Sequence, residues 1–252
     1  MMPRAGRLLP HSVDHAAAWS AVGYRMVLVL VVPSLDEEID LSPVVFADSV
    51  LLRENKGYDF GAWAATVLRL RRQLRRCATL ALANDSVLGP SARFGEMLQR
   101  VETADADLIG LVASDEIKRH FQSFVLFFQS RAVRSRAFWK FWRSVRSGDR
   151  QYVIDHYETK LLAKFEQASL RASTLFPVDA HGANPTLTQW RPLLRLGFPY
   201  LKVQLLRDGF MDQALENWQD EAARAGFDLA ALERQMTALG LPLPYGPGEQ
   251  GS

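Results

Sequence analysis

The first segment that could do chemistry is RENKGYDFGAW, which covers residues 53–63 between a predicted strand and a predicted helix. Gly57 and Gly61 allow a tight turn and a close approach to a ligand. The N-terminus of the following helix favours an anion, Asp59 could accept hydrogen bonds from a sugar hydroxyl, and Arg53 could pair with phosphate. A plain loop with an Asx turn has the same residue types, so spacing alone leaves both interpretations open.

The second segment is Asn84-Asp85-Ser86, which directly follows a predicted buried strand. Open α/β sheets bind ligands at the carboxyl ends of their strands. Asp85 could therefore hold a divalent metal that bridges donor phosphates and stabilises a leaving diphosphate. An Asn-Asp-Ser run is also typical of a helix cap, and the spacing does not separate these alternatives.

Two further segments carry polar side chains beside apolar runs. His120 and Gln122 lie two residues apart at the start of a predicted strand, so both could point into one cleft. Glu158 lies at the start of a predicted helix and could act as a general base. The structural alternatives are a core histidine and a glutamate favoured by the helix dipole.

The elements that must position these residues alternate between strands and helices, which predicts an α/β fold with a mostly parallel sheet. Apolar runs predict strands at residues 26–32, 44–52, 79–83, 108–112 and 121–128. Helical patterns cover residues 13–22, 62–76, 131–146 and 157–167. We expect one domain over residues 1–240, whose part from about 185 to 240 is helical with helices at 211–225 and 229–239, and a flexible tail at 241–252.

Composition narrows the functional classes. The 252 residues include 30 basic and 28 acidic side chains, for a net charge of +2, so no global field calls for nucleic acid. Cys77 is the single cysteine, which fits a reducing cytoplasm. The longest apolar run, residues 26–32, is far shorter than the ~20 residues that span a bilayer. We therefore expect a cytoplasmic protein that is at most peripheral to the inner face of the membrane.

Taken in order, the candidate segments resemble the rhamnan synthesis F family of glycosyltransferases. The resemblance rests on RENKGYDFGAW (53–63), NDS with the following Gly89-Pro90, HFQSF (120–124), NPTLTQW (184–190) and GFPYLK (197–202). It covers roughly residues 6–208. The combination is specific, whereas no single segment is.

The resemblance implies a GT-A type, Rossmann-like α/β/α sandwich that binds a nucleotide sugar at the C-terminal edge of its sheet. It implies donor-binding roles for Arg53, Asn55, Gly57, Asp59, Asn84, Asp85 and Ser86, and acceptor-binding roles for His120, Gln122, Ser123, Trp190 and Lys202. It also implies Mg²⁺ or Mn²⁺ at Asp85, although the second acid of the usual Asp-x-Asp is absent here. The family name suggests thymidine-diphosphate rhamnose as donor and a bacterial surface polysaccharide or its lipid-linked precursor as acceptor.

The same resemblance makes Glu158 the catalytic base of an inverting displacement. Asp115 and Glu116 are rival bases, because they precede His120 and could reach the same cleft. The chain begins in what should be the family's first loop, so we expect the opening strand of the sheet to be missing. A catalytically inactive, glycosyltransferase-like binding module in a polysaccharide synthesis complex is therefore the alternative function.

Two clusters of basic residues stand out along the chain. Residues 69–76 are most simply the solvated face of a helix. In residues 131–146 we expect Phe138, Phe141 and Trp142 to be buried, and Trp139 to lie nearer the surface beside Arg136, Lys140 and Arg143. Such a surface would suit anionic lipid headgroups. A nucleic-acid-binding protein is the rival class, which the small net charge and the lack of a known motif disfavour.

Overall fold

The computed structural model describes residues 1–179, 182–207 and 215–241. The first half contains α1 (Pro10–Ala21), β1 (Val27–Val32), β2 (Ser49–Glu54), α2 (Tyr58–Arg69), α3 (Arg71–Leu74), β3 (Thr79–Ala83), β4 (Val87–Leu88), α4 (Phe94–Thr103), β5 (Leu108–Gly110), β6 (Ala113–Ser114) and β7 (His120–Phe121). The second half contains β8 (Val125–Gln129), α5 (Ser130–Arg134), α6 (Arg136–Ser144), α7 (Arg150–Val153), α8 (Thr159–Glu166), β9 (Ala172–Thr174), α9 (Pro185–Thr188), α10 (Trp190–Arg195), β10 (Leu201–Lys202), α11 (Val203–Arg207), α12 (Trp218–Arg224) and α13 (Leu229–Leu239).

The strands form several small sheets. Strands β1 and β2 pair in parallel, and a four-stranded sheet has the order β3-β8-β5-β9. In that sheet β8 is antiparallel to both β3 and β5, whereas β9 is parallel to β5. Two antiparallel pairs, β4 with β10 and β6 with β7, complete the pairing. The combination of helices and strands predicted from the sequence is therefore confirmed, as a mixed α/β fold with several small sheets.

The prediction of a mostly parallel sheet holds for β1 with β2, but the four-stranded sheet is mixed, because β8 is antiparallel to both of its neighbours. A parallel neighbour needs a long crossover, usually a helix, whereas a short connection returns the chain antiparallel. Between the end of β5 at Gly110 and the start of β8 at Val125, the chain forms only the β6–β7 hairpin. Strand β8 therefore runs back beside β5 in the opposite direction.

Several element boundaries follow from local chemistry. The strand at 79–83 and the helix at 229–239 are confirmed, but the predicted strand at 44–52 begins only at Ser49, because Ser42–Val44 with its proline forms a 3₁₀ turn. The helix predicted at 62–76 begins earlier, at Tyr58, and is interrupted at Leu70. The start of the helix predicted at 211–225 lies outside the described residues. Almost all of the tail predicted at 241–252 also lies outside them.

An aromatic core joins the two helical segments that carry Asp59 and Glu158. Phe60 and Tyr157 are each the sequence neighbour of one of these acids, and both rings are buried. The two rings stack with centroids 6.1 Å apart at 27°, and Phe60 also stacks on the fully buried Trp142 of α6. Asp59 and Glu158 are next to these rings in the sequence, so the packing fixes the backbone positions from which the two carboxylate side chains extend.

No helix in the described ranges combines the length and apolar character that crossing a bilayer requires. This finding agrees with the short apolar runs of the sequence.

Candidate functional site

The loop between β2 and α2 is held in shape by its own side chains and glycines. Gly57 has a φ of +84° and directly precedes α2. Arg53 donates from Nε to the carbonyl of Glu54 (3.2 Å) and from Nη2 to the carbonyl of Lys56 (2.7 Å). Its third nitrogen, Nη1, is buried and has no hydrogen-bond partner among the described residues. Arg53 therefore stabilises the conformation of the predicted donor loop through hydrogen bonds to its backbone.

Gly61 makes the closest approach in this loop. A Cβ atom built on Gly61 would lie 2.2 Å from the carbonyl oxygen of Lys56. Because the clashing atom belongs to the backbone, a side chain here forces the loop to move. The glycine that the sequence suggested for close approach to a ligand is thus already required by the loop itself.

We expect Gly61→Ala to destabilise the fold by about 2 kcal/mol, as overpacking of a tight site does. Urea unfolding monitored by circular dichroism measures the change. Gly95→Ala is the matched control, since a Cβ at Gly95 in α4 meets no atom within 4 Å, and we expect it to be neutral or slightly stabilising. Equal unfolding midpoints for wild type and Gly61→Ala would contradict the clash.

A side-chain bridge connects this loop to the turn after β3. Asn84 donates from Nδ2 to Asp59 Oδ2 (2.9 Å). Its Oδ1 accepts from the amide (3.1 Å) and the hydroxyl (2.6 Å) of Ser86. Burial raises the pKa of Asp59, and the nearby negative charge of Asp85 raises it further. Two predicted donor segments thus meet at one polar centre.

Asp85 contacts the N-terminal segment of the chain. Its Oδ2 accepts from the amide of Met2 (3.0 Å) and from the hydroxyl of Ser12 (3.3 Å). Its backbone carbonyl accepts from His11 Nε2 (2.9 Å). Burial alone would raise the pKa of Asp85, but the nearby positive charges of the Met1 ammonium and His11, with the Met2 amide, hold it below its ordinary value.

Lys202 lies between the donor loops and the predicted base. It is opposite Val87 in the short β4–β10 pair, and its Nζ donates to Ser86 Oγ (2.7 Å). Burial lowers the pKa of Lys202 to about 8, while the negative charges of Glu158 and Asp59 oppose the shift. Its ammonium therefore faces carboxylates from two separate segments.

Glu158 ends a π-helical turn, Ile154–Glu158, between α7 and α8. Such turns interrupt an α-helix and frequently occur at functional sites. Its Oε1 accepts from the hydroxyl (2.7 Å) and the amide (3.3 Å) of Ser123. Within the described residues, Oε2 makes no hydrogen bond. One carboxylate oxygen is thus oriented and the other is free to receive a proton.

The remaining predicted site residues are distributed differently. His120 and Gln122 are buried side by side, with Nε2 atoms 3.4 Å apart, and Gln122 Oε1 accepts from Asn184 Nδ2 (3.1 Å). Asp115 is exposed in the β6–β7 loop, as is the rival Glu116. Trp190 is 4% exposed and belongs to a hydrophobic cluster with Leu88 and Leu201. The acceptor-binding role of Trp190 stays a prediction, and the buried side chain has little surface with which to contact an acceptor.

Of two cavities in the described residues, one is lined by predicted site residues. One of about 380 Å³ is lined by Asn55, Lys56, Gly57, Tyr58, Ser147 and Gly148, and so includes predicted donor-binding positions. A larger one of about 440 Å³ lies between α1, the turn after β4 and α13. No candidate residue lines the larger cavity, so we associate the smaller one with the site.

Sequence reasoning missed the contribution of α1. His11 and Ser12 hold Asp85, and His15 lies one helical turn further along the same buried face. The signal was present as an i, i+4 histidine pair. The predicted helix began at residue 13, and so excluded His11 and Ser12.

The carboxylates of Asp59 and Asp85 could supply part of the ligands of a divalent metal ion. Asp59 lies in the first turn of α2 and Asp85 in the turn after β3, and each has one carboxylate oxygen, Oδ1, without a hydrogen bond to described residues. Mg²⁺ ordinarily takes one or two carboxylates together with substrate phosphates. The described residues contain no group of three His, Cys, Asp or Glu side chains that could hold a metal. Any bound ion would therefore need phosphate oxygens as well.

Comparisons with known proteins cover most of the chain. The family model described as rhamnan synthesis protein F matches residues 29–237. Virulence protein VirA of Vibrio anguillarum (strain ATCC 68554 / 775) is 28% identical over 220 residues, covering 73% of this chain and 70% of VirA. Uncharacterized protein y4gN of Sinorhizobium fredii (strain NBRC 101917 / NGR234) is 28% identical over 153 residues, covering 58% of this chain and 40% of y4gN.

Proposed function

This chain belongs to the rhamnan synthesis protein F family, and we propose that within polysaccharide synthesis it is a glycosyltransferase that uses a nucleotide-sugar donor. The observation that carries the proposal is the convergence of Asp59, Asn84, Ser86, Lys202 and Glu158. These residues come from four distant parts of the chain and are connected by hydrogen bonds and charge. A core alone has no need of such a cluster.

The proposed reaction is a single inverting displacement. Glu158 takes the proton of an acceptor hydroxyl at its free oxygen, while Ser123 holds the other oxygen. The acceptor oxygen forms a bond to the anomeric carbon as the bond from that carbon to the diphosphate oxygen breaks. The electron pair leaves with the nucleoside diphosphate, and the Lys202 ammonium offsets part of the growing negative charge.

The donor we propose is thymidine-diphosphate rhamnose, and the acceptor is a bacterial surface polysaccharide or its lipid-linked precursor. Asn55 and Gly57, two of the predicted donor-binding positions, line the smaller cavity, which is where we place the nucleotide sugar. Asp85 and Asp59 would hold Mg²⁺ or Mn²⁺, whose chemistry when bound is to neutralise donor phosphates. The GT-A arrangement of the sheet is part of this proposal.

A non-catalytic, sugar-binding module is the second candidate. It is favoured by the engagement of Asp85, whose Oδ2 already accepts from the Met2 amide and the Ser12 hydroxyl. In that case the site binds a sugar nucleotide or glycan but supports no turnover.

Calorimetric titration with thymidine-diphosphate rhamnose, with and without Mg²⁺ or Mn²⁺, tests the proposed donor site. We expect binding, and a loss of 10- to 100-fold in affinity for Lys202→Met, since hydrogen bonds to charged groups contribute about 1.5–3 kcal/mol. Lys118→Met, at an exposed lysine in the β6–β7 loop, is the control and should bind like wild type. A folded protein that binds no nucleotide sugar would contradict the donor site.

A further inference from the structure

The structure gathers basic side chains from three helical segments onto one surface. We call it the basic face, and it consists of Arg71, Arg75, Arg134, Arg136, Lys140, Arg143, Lys160 and Lys164, all of which are exposed. In the sequence, six of them belong to the basic clusters at 69–76 and 131–146, whereas Lys160 and Lys164 lie outside both clusters. Their meeting is a property of the fold and is visible only in three dimensions.

Trp139 of α6 joins the first two segments. The guanidinium carbons of Arg71 and Arg75 lie 5.3 and 5.8 Å from the centroid of its ring. Arg134 also donates from Nε to the backbone carbonyl of Arg75 (3.3 Å). Cations above an aromatic face are attracted to it, so the arginines cover Trp139 and hold α3 against α6.

Helix α8 adds the third segment. Lys164 Nζ lies 5.2 Å from the ring centroid of Phe141, and Lys160 is one turn earlier on the same helix. Burial lowers the pKa of Lys164, and the positive charges of Lys160 and Lys140 lower it further. The cations of α6 and α8 are thus close enough to repel one another.

The basic face lacks compensating acids. None of its eight side chains forms an ion pair with a carboxylate in the described ranges, whereas other surface arginines do. Arg93 pairs with Glu96, Arg195 with Glu221 and Arg234 with Asp14. In a chain with a net charge of only +2, this face concentrates positive charge that a partner must neutralise.

Trp139 decides what kind of contact this surface can make. The expectation that Trp139 lies near the surface is wrong: it is 3% exposed beneath Arg71 and Arg75. Single-stranded nucleic acids are bound by stacking bases on exposed aromatic rings, which this face does not offer. A polybasic surface is attracted to anionic lipid headgroups by charge alone, so no side chain needs to insert into the bilayer. We propose that the basic face docks electrostatically on an anionic bilayer.

Vesicle sedimentation tests this proposal with two variants of equal charge. The first replaces Arg136, Lys140 and Arg143 of α6 with glutamine. The matched control replaces Arg93, Arg195 and Arg234 with glutamine. Both remove three positive charges, and circular dichroism melts verify that both remain folded. The probes are vesicles of phosphatidylcholine alone and vesicles that also contain about 30 mol% phosphatidylglycerol. The anionic lipid gives the negative surface that polybasic segments bind.

We expect wild type and the control to sediment with the anionic vesicles at about 0.1 M NaCl and not with the neutral ones. The α6 variant should bind about a hundredfold more weakly, since each basic residue near the surface strengthens binding about fivefold. Binding should disappear near 0.5 M NaCl, because salt at that concentration screens charge interactions over only a few ångströms. Equal binding by the α6 variant and the control, equal binding to neutral vesicles, or tighter binding to a nucleic-acid duplex at the same salt would each overturn the proposal.

Discussion

Glu158→Gln is expected to lower the turnover number of sugar transfer by about a thousandfold, within the range of 10²–10⁴ that a general base contributes. Glutamine keeps the shape of the side chain, and its amide oxygen can still accept from Ser123. The substitution therefore removes the proton acceptor without removing the contact that positions it. Initial rates at saturating donor and acceptor measure the effect.

Two controls separate a catalytic loss from a structural one. Donor affinity should change little in Glu158→Gln when it is measured at about pH 6.5. Removing the Glu158 charge lowers the Lys202 pKa below its value of about 8, so a lower pH is needed to keep Lys202 protonated. Glu166→Gln changes an exposed glutamate of α8 that pairs with Arg119, and it should retain full activity. If Glu158→Gln turns over like wild type while Asp115→Asn is inactive, the base is Asp115 and the present assignment is wrong.

Much of the secondary structure was predictable because it depends on local sequence. The run at β3 is short, apolar and ended by Asn84, so its bounds of 79–83 follow directly. The helix at 229–239 begins after Asp228, whose side chain caps it, and ends at Gly240 with a φ of +67°. Signals of this kind need no tertiary context.

The assembly of the candidate site was predictable only in part. Asn84 directly follows β3, and Asp59 lies in the first turn of the helix after β2, which are positions where the sequence placed candidate ligand-binding residues. Because β2 and β3 belong to different sheets, the hydrogen bond between Asn84 and Asp59 depends on tertiary packing and could not be predicted. The position of Lys202 depends on a pair of two-residue strands, which leaves no periodic signal in the sequence. The burial of Trp139 depends on arginines more than sixty residues away. Such long-range contacts are set by packing, which local patterns do not encode.

A second large effect concerns folding stability at low pH, and it centres on His15 of α1. His15 is buried, its Nε2 accepts from Trp19 Nε1 (2.9 Å), and it lies 3.0 Å from the Tyr200 hydroxyl. Burial lowers the pKa of His15 from 6.5 to about 4. Between these values the unfolded chain binds a proton that the folded chain excludes, so stability falls as pH drops through that window.

The shift corresponds to about 3 kcal/mol of stability that is present above pH 6.5 and lost towards pH 4. Urea unfolding at pH 7.5 and near pH 4 measures the loss. His15→Gln keeps an acceptor for Trp19 but cannot titrate, so the acid-dependent loss should be smaller by about 3 kcal/mol. His156→Gln, at an exposed histidine, should lose as much stability as wild type. If His15→Gln also loses as much, then protonation of His15 does not destabilise the fold and the Trp19–His15–Tyr200 contacts tolerate charge.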